Sequence, residues 1–405
     1  MKFEAPLGWD LVPLSEVATV QTGLAKGKVV NGEALELPYL RVANVQDGHL
    51  DFQIIKTITV SPSDVARFSL QPGDVLFTEG GDFDKLGRGT VWRGEIPSCL
   101  HQNHVFAVRP SPSKLLPEFL AALASSAHGR RYFQLSSKQS TNLASINSTQ
   151  LKEFPVPLPS LDLQRKIAEI LRTWDEALEK LTALRTAKER RLGALRASLL
   201  FGRLRLKGLR HNWAPTRLEA VTHELTKRNG ANGLGRKRVM GVTKAEGVVP
   251  MREQTIAGDI SRYKRLPSRA FAYNPMRINV GSIAMNEREE VVLVSPDYVV
   301  FACNADGLDP DYLDHLRKTS WWSHYINSGG SGSVRQRTYY DDLAALKLPL
   351  PELDEQKAIA AVLNTAQADM AATEREIEAV TQQKRGLMQK LLTGEWRVDS
   401  EKVLA

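Results

Sequence analysis

Apolar residues in the last quarter of the chain recur at alternating steps of four and three. The positions are Ile359, Leu363, Ala366, Met370, Thr373, Ile377, Val380, Lys384, Leu387 and Leu391. This spacing holds one stripe on one face of a helix and is the seam of a coiled coil. The same pattern stands earlier, at Ile167, Leu171, Trp174, Leu178, Leu181, Arg185, Lys188, Leu192, Leu195 and Leu199. Both seams have polar members: Arg185 and Lys188 weaken the first, Thr373 the second. Helices of about 40 residues rising about 1.5 Å per residue predict rods near 60 Å long. A lone rod of that kind would hold its stripe in water, so the two are expected to pair with each other, in an orientation the seam leaves open.

The two helical segments are copies. Leu158-Pro159-Ser160-Leu161-Asp162-Leu163-Gln164 returns as Leu350-Pro351-Glu352-Leu353-Asp354-Glu355-Gln356, and Leu199–Gly202 returns as Leu391–Gly394. The offset is the same at both ends (356 − 164 = 192; 394 − 202 = 192). An ungapped register means that the spacing is constrained, as it would be for a helix that serves as a ruler. Pro155, Pro157 and Pro159, and Pro349 and Pro351, predict an extended entry to each helix. Asp162 and Asp354 are expected to cap the starts, and Gly202 and Gly394 to mark the ends.

Between the helices the period changes. Runs such as Tyr39–Val42, Asp74–Phe77, Val105–Val108, Val291–Val294 and Tyr298–Phe301 read as short strands separated by Gly, Pro and Asp turns. A helical stretch follows in each region, Leu116–Phe133 and Asp309–Tyr325. The two regions resemble each other faintly: Trp9, Leu14 and Val17 recur as Trp213, Leu218 and Val221 (213 − 9 = 204). The predicted fold class is α+β, with two mixed α/β heads separated by two long α-helices. The predicted order is a head at 1–155, a helical spacer at 156–205, a head at 206–347, a second spacer at 348–398 and a tail at 399–405.

Composition narrows the partners. The net charge is +8 over 405 residues, which favours a polyanion, nucleic acid first. No apolar run reaches bilayer length, and Met1–Pro6 lacks the apolar core of a secretory signal. Two distant cysteines, Cys99 and Cys303, give no disulfide framework, so a reducing cytoplasm is expected.

Catalytic signatures are incomplete. Adenine methyltransferases hold the flipped base with an Asn/Asp-Pro-Pro-Tyr/Phe motif. Asn274-Pro275-Met276-Arg277 lacks the aromatic residue, and Ser295-Pro296-Asp297-Tyr298 has aspartate in place of the second proline. Both read as turns beside strands. Gly329-Gly330-Ser331-Gly332-Ser333 has no following lysine, so it is no ATP loop. Cys99, His101 and His104 lack a second ligand pair and read as strand residues. No cofactor or metal is expected.

DNA contact fits the remaining pattern. In the first head the candidates are Lys85 and Arg88 on a glycine-rich loop, with Lys138, Gln139 and Asn142. In the second they are Lys227, Arg228, Arg236, Lys237, Arg238, Arg262, Lys264, Arg265, Ser333, Arg335 and Arg337. Arginine, glutamine and asparagine can read base edges in pairs of hydrogen bonds, whereas lysine more often holds phosphate. On the rods, Arg165, Lys166, Glu189, Arg190 and Arg191 could meet a protein partner or stand as solvated charges.

The duplicated Leu-Pro-x-Leu-x-x-Gln openings, the terminal Leu-Leu-x-Gly and the Gly80–Gly89 stretch together resemble the specificity subunit of type I DNA restriction-modification systems, over nearly the whole chain. The resemblance implies two target recognition domains, each reading one half of a bipartite double-stranded DNA site. It implies that the helices form an antiparallel coiled coil that sets the gap. It further implies a non-catalytic subunit that assembles two adenine-methyltransferase subunits and, in a full complex, ATP-dependent restriction subunits. Two other readings stand beside it: a methyltransferase or nuclease in its own right, and an architectural DNA-binding protein.

Overall fold

The computed structural model describes residues 5–25, 27, 32–81, 86–87, 89–139, 144–209, 212–231, 233–328 and 337–396. Contacts divide the chain into two units, Met1–Leu181 with Glu376–Ala405, and Thr182–Arg375. The two long helices run Leu161–Leu199 and Leu353–Leu392, so each contributes one half to each unit.

In the first unit an antiparallel sheet runs in the order Ala18–Thr22, Val105–Pro110, Val75–Thr78, Gly89–Val91. Its core gathers Val75, Phe77, Phe106 and Val108 with Phe119, Leu120 and Phe133 of the following helices. The second unit has a sheet in the order Thr222–Glu224, Val299–Cys303, Phe271–Tyr273, Ile283–Met285. The strand order is the same in both heads. The sequence similarity that looks faint therefore covers a shared topology. Leu14 and Leu218, the recurring pair, are both wholly buried.

The proline-rich entries are strands. Pro155–Leu158 pairs antiparallel with Asp10–Pro13, and Lys347–Leu350 with Ala214–Arg217. The prolines fit because these are two-stranded ribbons, in which a missing N–H faces no second neighbour. The helix starts differ from expectation. Ser160, not Asp162, caps the first, accepting from the Leu163 N–H at 3.4 Å, and Asp162 and Asp354 lie within the first turns. The ends follow expectation. Gly202 and Gly394 adopt φ of +66° and +65°, and the N–H groups of Leu204 and Trp396 return to the carbonyls of Ser198 (3.0 Å) and Lys390 (3.1 Å). This is the glycine-ended C-cap in which the chain reverses through a left-handed residue.

The helices pair antiparallel within each unit. In the first, Ile167 and Leu171 share a core with Leu391 and Leu392, and Asp175 pairs with Lys384. In the second, Arg185 pairs with Glu374 at 3.1 Å and Lys188 with Asp369 at 2.7 Å. Lys188 also donates to Thr373 Oγ1 at 2.9 Å. Two polar seam residues, Lys188 and Thr373, thus meet each other across the helix pair.

Candidate nucleic-acid interface

The repeated glutamine explains the opening motif. Gln164 is fully buried; its Oε1 accepts from the Leu116 N–H at 2.9 Å, and its Nε2 donates to Lys114 O (2.9 Å) and Pro159 O (3.0 Å). Gln356 repeats the arrangement with the Asp309 N–H (2.8 Å), Gly307 O (3.0 Å) and Pro351 O (2.9 Å). An amide can donate and accept in the same plane without charge. Each glutamine therefore clamps its head's loop, just ahead of a head helix, to the start of a long helix.

A second repeated contact places the candidate loops. The Ile146 N–H donates to Glu79 O at 2.8 Å, and the Thr338 N–H donates to Pro275 O at 3.1 Å. Ile146 and Thr338 are repeat-equivalent, and Glu79 and Pro275 both lie just past corresponding sheet strands. In the first head, Gly80–Gly81, Ala144–Ser145 and Lys138–Gln139 form a small sheet at this place, with Lys138 exposed. Gln139 lies on its outer strand. Lys85, Arg88 and Asn142 lie outside the described residues, as do Ser333 and Arg335 of the second head.

The second head brings several basic residues together. The Arg265 N–H donates to Lys227 O at 2.9 Å, Arg228 and Lys264 form an antiparallel bridge, and Arg228 Nη1 donates to Arg262 O at 2.8 Å. Lys227, Arg228 and Arg262 are exposed; Lys264 and Arg265 are half-buried. The run at 236–238 is partly engaged within the chain. Arg236 donates to Glu253 (2.8 Å) and to the carbonyls of Ala257 (2.6 Å) and Ile256 (3.3 Å), and Arg238 pairs with Glu290. Lys237 stands exposed between them.

Arg337 is exposed and lines a cleft of about 440 Å³. The cleft also takes Asn274–Met276, Pro296–Val299, Glu224, Lys264 and Tyr339–Asp341. Both turns that resemble methyltransferase motifs meet here, which their separation in sequence conceals. Tyr339, Asp341 and Glu224 are residues that motif reading passes over; the only signal is a tyrosine pair directly after a basic run.

Cys99 and His101 lie in the core of the first head. His101 is buried, with Nδ1 2.7 Å from Val105 O, and burial keeps its pKa below the usual range. Burial also pushes the Cys99 thiol up to about 12. Among the described residues no cluster could hold a metal ion, and no helix is long and apolar enough to cross a membrane.

The fold of alternating heads and long helices is found in solved chains. A chain of a type I R-M system, solved in work on complex assembly and conformational transition, aligns with TM-score 0.58 at 17% identity, covering 98% of this chain and all of that one. The type I restriction-modification S subunit of M. genitalium aligns with TM-score 0.57 at 12% identity, covering 96% and 98%. In sequence, residues 6–188 match the type I restriction modification DNA specificity domain. The putative MjaX specificity subunit of Methanocaldococcus jannaschii is 26% identical over 98% of this chain and 95% of its own length. The EcoKI specificity subunit of Escherichia coli is 28% identical over 35% of this chain and 32% of its own. Over nearly its whole length the chain is thus similar to a specificity subunit of a type I restriction enzyme, and its first half matches the DNA specificity domain of such systems.

Proposed function

We propose that this chain reads a bipartite DNA target, one half-site per head, and assembles two methyltransferase subunits on it, with restriction subunits where the system has them. It is a DNA-recognition subunit, and methylation and cleavage belong to other subunits of such systems. Its heads correspond to 1–155 and 206–347, its helical spacers to 156–205 and 348–398, and it works in the cytoplasm, where the DNA is.

The observation that carries the two-half-site reading is the repeated Ile146–Glu79 and Thr338–Pro275 contact. The two contacts lie just past corresponding strands of two heads with one strand order, near Lys138 and Gln139 in the first and beside Arg337 in the second, which supports a matched pair of readers. Two similar readers with different side chains suit two different half-sites. The cluster of Lys227, Arg228 and Arg262 supplies phosphate contact.

The test is methylome sequencing of host DNA with and without the gene. Loss of one methyl-adenine motif, split by a fixed gap of unspecified bases, is the expected result. An unchanged methylome in a host that expresses the methyltransferase subunit defeats the reading.

A further inference from the structure

We propose that the cleft in the second head is a base-reading site in which Arg337, Asn274 and Tyr339 set one half of the recognised sequence; this rests on the DNA-recognition function above. The cleft is unlike the basic cluster beside it. Three carboxylates line it, those of Glu224, Asp297 and Asp341, against two cations, Lys264 and Arg337. Carboxylates repel phosphate, so this lining does not suit the DNA backbone. It suits an uncharged edge that offers acceptors and an amino group together. The major-groove edge of a base pair is such an edge: guanine presents O6 and N7 to an arginine fork, and the paired cytosine presents an amino group to a carboxylate. Arg337 and Asp297, both on the lining, can supply those two partners.

The reading groups are held in place. The Thr338 N–H bond to Pro275 O, 3.1 Å, ties the segment carrying Arg337 and Tyr339 to the turn carrying Asn274. Asn274 Oδ1 accepts from the Met276 N–H at 2.9 Å, which fixes its amide and leaves the NH2 as the donor. The exposed guanidinium of Arg337 donates to the Tyr339 hydroxyl at 3.3 Å, its one hydrogen bond among the described residues, and has Asp297 as a nearby opposite charge.

Tyr339 itself is a local anomaly. Its repeat counterpart, Asn147, caps a short helix by accepting from the Gln150 N–H at 2.9 Å, while Gln150 returns the contact at 2.7 Å. At Tyr339 only the return half exists, its N–H donating to Asp342 at 2.8 Å. The second head thus gives up a good cap and sets a ring, 52% exposed, at the cleft. A local rule broken in favour of a place at a cleft is the mark of a functional position. Wholly buried Tyr273, the residue before Asn274, has a hydroxyl without a hydrogen-bond partner among the described residues. Lys264 belongs to both the cleft and the bridge with Arg228, so the base-reading and phosphate-holding groups are contiguous.

The test compares the methylated motif made by the wild-type complex with those made by Arg337→Ala, Arg337→Lys and Asn274→Ala. Relaxation at one position of one half-site is expected, with the other half and the gap unchanged. The discrimination lost at that position should be about 5- to 150-fold. Lysine keeps the charge but not the fork, so Arg337→Lys should relax the same position. Identical motifs in all four cases overturn the proposal. If a variant methylates nothing, competition binding by the purified complex decides, using target DNA and singly altered targets; unchanged ratios between them overturn it. A wild-type complex with no bipartite motif would instead sink the parent reading, and is distinguishable because it needs no variant.

Discussion

At the scale of single residues, the duplicated motif is a pair of buried amides. Removing one leaves three backbone groups without a partner. For Gln356→Ala these are the Asp309 N–H and the carbonyls of Gly307 and Pro351. Buried orphaned groups make such a loss costly, about 2–4 kcal/mol in all. The expected outcome is a lower urea midpoint for the second unit, and Gln164→Ala should do the same for the first. A midpoint within error of wild type would remove the clamp from this account. The glutamines are plain in the sequence as a repeated letter. Their role is not, because two of the three partners of each lie 47 to 50 residues upstream.

At the scale of elements, the two heads meet their helices differently. In the second unit a polar network fills the contact. Arg196 donates to Gln367 at 2.9 Å and lies 3.3 Å from His315 Nδ1, and His315 Nε2 is 2.8 Å from Asn364 Oδ1. Buried Asp314 takes Arg317 and Lys318, which hold its carboxyl below the usual range although burial opposes this. At the repeat-equivalent positions of the first unit stand Ala121, Ala122, Ser125, Arg172, Asp175 and Met388, and all six line a cleft of about 460 Å³. On the head helix, the small Ala121, Ala122 and Ser125 line an open cleft in one unit where Asp314, His315 and Lys318 join a polar network in the other.

The network has a pH consequence. Burial, helped by Arg196 and Lys318, pushes the His315 pKa from its ordinary 6.5 down to about 4, against the Asn364 contact and Asp314, which raise it. The unfolded chain therefore takes up the proton first as pH falls. The stabilisation is fully present above pH 6.5 and is lost towards pH 4, by at most about 3 kcal/mol. Asp314 adds a further loss, below its ordinary 3.8. Denaturant unfolding at pH 7.5 and 4.5 should show this loss in wild type and a smaller one in His315→Gln. Equal losses in both proteins would place the acid sensitivity elsewhere.

At the scale of the whole molecule, the constrained quantity is helix length. Helices of 39 and 40 residues carry matched seams with one offset from end to end. Adding seven residues to each, after Leu181 and after Arg375, keeps the seam in phase. It lengthens each helix by about 10 Å, about three base pairs of duplex. The gap in the methylated motif should grow by about that amount with both half-sites unchanged. A gap that stays the same would show that the helices are not the ruler.

The seams, the duplication and the glycine ends were legible in the sequence because each depends on spacing along one helix. Ile167 and Ile359 declare a buried face by period alone, and Gly202 and Gly394 mark a turn that side chains resist. The net positive charge likewise favours a polyanion without any fold. Other features depend on residues far apart in the chain, and only the tertiary structure decided them. Arg185 and Lys188 look like flaws until Glu374, Asp369 and Thr373 are set against them. Arg236 and Arg238 stand as a bare basic run in the sequence, and only the fold sets Glu253 and Glu290 beside them. Asn274, Tyr298 and Arg337 share one cleft only because strand order folds three separate segments to the same place. Periodicity is a property of neighbours, whereas charge pairing and site geometry are properties of the folded chain.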